Sequence, residues 1–113
     1  MHTIPGKEIA DIFRKAIRKE TDVVAVGYSW NDAFAGNAHI RIDGYDLLIF
    51  NDCLELDYVD TATAPDGRTG DFDKWFDDGD EPVSLMNQEE VARMERILEE
   101  APVIGPIAER PVP

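Results

Sequence analysis

With one cysteine, Cys53, the chain can form no internal disulfide, and a reducing compartment is the expected setting. Histidine is nearly as scarce, only His2 and His39, and no zinc spacing is present. Cations are few as well: 11 Lys and Arg stand against 24 Asp and Glu, a net charge of −13. That balance argues against direct binding to DNA or RNA, whose phosphates would repel it. No apolar run nears the roughly 18 residues of a membrane span, and the first residues lack a signal-peptide stretch. A soluble cytoplasmic protein without membrane contact is expected. There is no glycine-rich phosphate loop, no nucleophile elbow around Ser29 or Ser84, and no basic–aromatic strip. Cys53 has only His39 as a partner, and acidic surroundings would raise its thiol pKa, so a structural cysteine is expected. The absence of motifs does not exclude an enzyme, but nothing recommends one, and no cofactor is expected.

What is present is acid in one place. Residues 52–81 hold eleven carboxylates (Asp52, Glu55, Asp57, Asp60, Asp66, Asp71, Asp73, Asp77, Asp78, Asp80, Glu81) against Arg68 and Lys74, a local charge of −9. At 113 residues and 43% hydrophobic content the chain suits one domain with a real core, so acidity does not imply disorder.

Ile9, Ile12, Phe13, Ala16 and Ile17 form one apolar stripe at helical spacing, predicting a helix over about Pro5 to Lys19. Val23 to Tyr28 reads as a strand. Ala38 to Ile42, Asp43-Gly44 and Tyr45 to Phe50 then predict a hairpin with a type I′ turn. Asn51-Asp52 is expected to turn the chain again, into a strand over Cys53 to Val59. These turns pair Ile42 with Tyr45, Ile40 with Leu47, Ile49 with Leu54, Leu47 with Leu56 and Tyr45 with Tyr58, all on one face. Phe72, Trp75 and Phe76 predict a short helical turn over Asp71 to Phe76 that pins the acidic loop. Asn87 with Glu90 makes a capping-box pattern, Met86 and Val91 take the staple positions, and Pro102 stops that second helix. The expected architecture is α+β: a two-layer sandwich of a three- to four-stranded antiparallel meander, covered on one face by an N-terminal and a C-terminal helix. One domain over residues 1–102 and an extended proline-rich segment over 103–113 follow.

Three candidate sites emerge. The first is a partner-binding surface of Asp66, Asp71, Asp73, Trp75, Asp77, Asp78 and Asp80, in which an exposed Trp among acids would anchor an Arg- or Lys-rich surface. The plain alternative is that Trp30 and Trp75 are core residues. The second is a polar sheet face of His39, Arg41, Asp46, Glu55 and Asp57, where the expected register sets Asp46 opposite both Arg41 and Asp57. It suits a small ligand or an enzyme site, or is simply a solvated face with one ion pair. The third is divalent-cation binding by the acids of 66–81. The EF-hand template fails there, since from Asp71 the third ligand position falls on Trp75 and no glycine follows it.

The middle of the chain resembles a known family. Ile42-Asp43-Gly44, Phe50-Asn51-Asp52-Cys53, Leu56-Asp57-Tyr58, Ala64-Pro65-Asp66-Gly67-Arg68, Gly70, Phe72-Asp73, Trp75 and Pro82-Val83 are similar to a family of small acidic pseudomonad proteins, a domain of unknown function. The likeness spans about residues 27 to 98. It implies no catalytic role, but it implies that Ala64 to Trp75 is a defined structural element. The leading expectation is a non-enzymatic binding protein, monomer or homodimer, that turns its acidic loop toward a basic protein surface.

Overall fold

Asp43 and Gly44 turn the chain as expected, with φ of 52° and 79°, joining β2 (Ala35–Ile42) to β3 (Tyr45–Asp52). Only glycine is free of strain at such a φ, and the second turn position takes it. The computed structural model describes residues 3–105. It sets Ile42 opposite Tyr45, Ile40 opposite Leu47 and Arg41 opposite Asp46, the register expected for this hairpin.

The next turn lies further along the chain than expected. Cys53 and Leu54 form it, with φ of 53° and 79°. Asn51 is fully buried instead: its Nδ2 donates to the Trp30 carbonyl (2.7 Å) and its Oδ1 accepts from the Leu54 N–H (2.6 Å). The Cys53 N–H donates to the Phe34 carbonyl (2.7 Å). These bonds hold two L-residues in the left-handed region, each at a cost of ~1 kcal/mol.

Beyond the turn, β4 (Glu55–Thr63) carries two irregularities against β3, between Leu48 and Ile49 and between Phe50 and Asn51. Each inserts an extra β4 residue, so Leu56, Val59 and Ala62 point inward at three-residue spacing. Leu47 therefore opposes Ala62 rather than Leu56, and Ile49 opposes Val59 rather than Leu54. Tyr58 opposes Phe50 rather than Tyr45. Two distant carboxylates serve this strand: Glu95 Oε2 accepts from the Leu56 N–H (2.8 Å) and Glu81 Oε2 from the Val59 N–H (3.2 Å).

With β1 (Val23–Val26), β5 (Thr69–Asp71) and β6 (Val103–Ile104), the sheet has six strands among the described residues, ordered β5-β4-β3-β2-β1-β6. That is more than the three to four expected, and β6 runs parallel to β1, so the sheet is mixed. β6 comes from the segment expected to be extended; the rest of that segment, 106–113, lies outside the described residues.

α1 (Gly6–Ile17) buries Ile9, Ile12, Phe13 and Ala16, and α4 (Gln88–Glu100) buries Met94 and Leu98. The Asn87–Glu90 capping box is formed. Both helices cover the face bearing Ile40, Leu47 and Leu56, all of which are buried. A one-turn helix, α2 (Trp30–Ala33), buries the Trp30 ring, and a 3₁₀ turn over Pro82–Leu85 precedes α4. On the opposite face of the sheet Asn37, His39, Arg41, Asp46, Leu48, Phe50 and Tyr58 are half-buried.

Candidate functional site

The acids of 52–81 divide by what they touch. Arg68 clamps its loop to α1: its Nη1 and Nη2 donate to Glu8 (2.9 and 2.7 Å), and its Nε donates to Asp66 Oδ2 (2.8 Å). The Tyr45 hydroxyl also donates to Glu8. Bonding to Arg68 holds the Glu8 carboxyl below its ordinary range against the opposing effect of burial. Asp66 is lowered too, by the backbone N–H of Arg68 and then by its guanidinium, while Arg68 itself is pushed up by Glu8 and Asp66. Residues 64–68 are thus a built loop, closed by bonds from Gly67 N–H to the Ala64 carbonyl (2.9 Å) and from Ala64 N–H to the Arg68 carbonyl (2.8 Å).

Two neighbouring acids are capping groups. Pro5 offers no side-chain cap to α1, and Asp80 Oδ2 accepts from the Gly6 N–H instead (3.0 Å). Contact there is so close that a Cβ on Gly6 would sit 1.7 Å from the Asp80 carbonyl oxygen. Glu81 is buried, at 6% exposure, and accepts from the N–H groups of Val59, Val83 and Ser84 and from the Ser84 hydroxyl. Counted by composition it belongs to an acidic surface; by position it is interior.

Asp52, Glu55, Asp57 and Asp60 lie on β3 and β4, and the remaining four acids sit on and around α3 (Phe72–Asp78), the helix expected over Asp71 to Phe76. Asp71 is its N-cap, accepting from the Lys74 N–H (3.0 Å), and Asp78 pairs with Lys74 (3.1 Å). Asp73 and Asp77 are exposed, without an ion pair or hydrogen bond among the described residues. Helical spacing explains the sorting: Phe72/Phe76, Asp73/Asp77 and Lys74/Asp78 are three i,i+4 stripes, and Trp75 takes the fourth direction, inward.

Trp75 requires a correction. It is 1% exposed, with its Nε1 donating to the Ile4 carbonyl (2.8 Å), so its ring is unavailable to a partner. The exposed aromatic of α3 is Phe76, at 68%. It ends a row that crosses the uncovered sheet face. Phe50 stacks on Tyr58 with ring centres 5.2 Å apart, Tyr58 meets Phe72 at 4.6 Å, and Phe72 meets Phe76 at 5.7 Å. Burial pushes the Tyr58 phenol up, and the nearby charges of Asp60 and Asp57 push it further. This row was not readable from alternation, because the β4 bulges carry Tyr58 to the face opposite the one expected.

The polar sheet face forms in part. His39 Nε2 lies 2.8 Å and Arg41 Nε 2.9 Å from the same oxygen of Asp46. Burial opposes ionisation of Asp46, but its bonds to His39 and Arg41 outweigh that and hold the carboxyl below its ordinary value. Glu55 and Asp57 do not join them. Asp46 opposes Thr63, Glu55 opposes Asp52 across the Cys53-Leu54 turn, and Asp57 falls exposed in a bulge. The expected Asp46–Asp57 opposition is absent because the turn is displaced. Elsewhere a groove of ≈ 580 Å³ runs along α1 between Lys7, Lys15, Asp43 and Tyr45, with Lys15 paired to Asp43 (2.8 Å). Among the described residues no group of three or more His, Cys, Asp or Glu side chains converges to hold a metal ion. Nor, among them, is any helix long and apolar enough to cross a membrane.

Fold and surface together define a small acidic α+β domain whose sheet, among the described residues, is covered by helices on one face only. A family model described as Domain of unknown function (DUF7693) matches residues 3–100, so the chain belongs to that family. The match takes in the N-terminal helix, beyond the span over which the resemblance was read. No curated protein and no solved structure was found to match the chain.

Proposed function

We propose that this protein is a non-enzymatic interaction protein that presents the acids of α3 to a basic protein surface. The observation that carries the reading is the state of Asp73 and Asp77: exposed, unpaired among the described residues, and pointing away from the buried Trp75. Acids in the same segment that stabilise the fold are tied up, as Asp66, Asp71, Asp80 and Glu81 are. Like charges left free on one helix repel each other and weaken the fold, and a cationic partner relieves that repulsion.

The test is capture at low salt on immobilised protein, with Asp73→Asn/Asp77→Asn as the control, followed by a salt step. A basic protein retained by the native chain, released near physiological salt and lost by the double variant is expected, since surface charges are screened over ~8 Å at that ionic strength. Retention unchanged by the double variant, or no basic protein retained, would contradict the reading.

A further inference from the structure

We infer that the aromatic row Phe50–Tyr58–Phe72–Phe76 is the apolar centre of the interface, and that the segment it receives is rich in arginine rather than lysine. The inference rests on the reading above, and adds which residues bind and what they bind. Four rings in consecutive contact reach across β3, β4 and α3 on the face that neither α1 nor α4 covers. At one end, Phe76 holds a ring in water, 68% exposed, on a seven-residue helix whose Trp75 already secures it to the core. Structural need therefore does not account for a Phe at position 76.

The charge around the row selects its occupant. Asp57 and Asp60 are close enough to Tyr58 to raise its phenol pKa, and Asp73 and Asp77 form the stripe beside Phe72 and Phe76 on α3. Aromatic faces carry negative electrostatic potential, and carboxylates at their edges deepen it. A second copy of this chain would bring the same acids, at a net charge of −13, against themselves. A nucleic acid is repelled in the same way. A cationic protein segment meets both features at once. Arginine fits better than lysine because its planar, weakly hydrated guanidinium stacks on a ring while its N–H groups reach the flanking carboxylates. The strongly hydrated lysine ammonium takes the charge but gains less from the rings.

The test uses the full chain and two labelled probes, nona-arginine and nona-lysine, followed by fluorescence anisotropy at low salt. Three proteins are compared: native, Phe76→Ala, and Asp73→Asn/Asp77→Asn. Because Phe76 is mostly exposed, its removal leaves folding intact, which a thermal melt checks. The native chain is expected to bind nona-arginine about fivefold more tightly than nona-lysine. Phe76→Ala is expected to abolish that preference while keeping nona-lysine affinity, and the double Asp variant to weaken both peptides by a similar factor. Equal affinity for the two peptides, or a preference untouched by Phe76→Ala, overturns the aromatic row while the acidic reading stands. Loss of neither peptide in the double Asp variant, or no binding by the native chain, overturns both. Sedimentation of the chain alone completes the set: a dimer that Phe76→Ala dissolves would give the row to a second copy and overturn the arginine assignment.

Discussion

Replacing Glu81 by alanine is expected to cost about 2–3 kcal/mol, because the buried Val59 N–H and the N–H groups of the 3₁₀ turn lose their acceptor together. Urea denaturation measures this, and Glu81→Gln should fall between, keeping one acceptor oxygen. Asp80→Ala is expected to cost ~1 kcal/mol, as for the loss of a helix N-cap. Glu8 adds a pH dependence. Its folded pKa is depressed below the ordinary 4.5, so its contribution is complete above that value and is lost as the pH falls through the lower folded value. Acid titration of stability should therefore show a smaller drop in Glu8→Gln than in the native chain. The roles of Glu81 and Asp80 were not legible from composition, which treats every carboxylate in 52–81 alike. Only contacts across the fold separate Glu81 and Asp80 from Asp73 and Asp77. Trp75 shows the same limit in reverse: a Trp among acids admits an anchor reading beside the core one, and its burial and its hydrogen bond to Ile4 decide for core.

At the scale of elements, local rules succeeded where signals were local. The Asp43-Gly44 hairpin, the Asn87–Glu90 capping box and the apolar stripe of α1 each depend on neighbours within a few residues, and each formed as read. β4 failed for a physical reason. Asn51-Asp52 has turn composition, but Asn51 spends its polar groups inside, on Trp30 and Leu54, and the turn falls on Cys53 and Leu54. Two bulges then replace alternation by a three-residue spacing, which no period-two reading detects. The strained turn makes its own prediction. Cys53→Asn/Leu54→Gly places a favoured type I′ pair at the two positive-φ positions and should raise stability by ~1 kcal/mol in urea melts. An unchanged or lowered midpoint would mean that the Cys53 and Leu54 side chains contribute more than their backbone strain.

Over the whole molecule, the sheet face that neither α1 nor α4 covers and the charge of −13 bear on the predictions. Sequence patterning conveyed the α+β class and the helix-covered face, but not the mixed six-stranded sheet, since β5 and β6 are only three and two residues long. Plain salt is expected to raise the melting temperature by screening the acidic surface, with calcium or magnesium doing no more than sodium at equal ionic strength. A specific rise with one divalent ion would place a cation among the acids. The most direct measurement is an amide chemical-shift map of the full chain titrated with nona-arginine. Shifts concentrated on α3 and on the strand segments around Phe50 and Tyr58 are the expected result. Shifts centred on the α1 groove, or spread evenly over every acidic segment, would contradict the account.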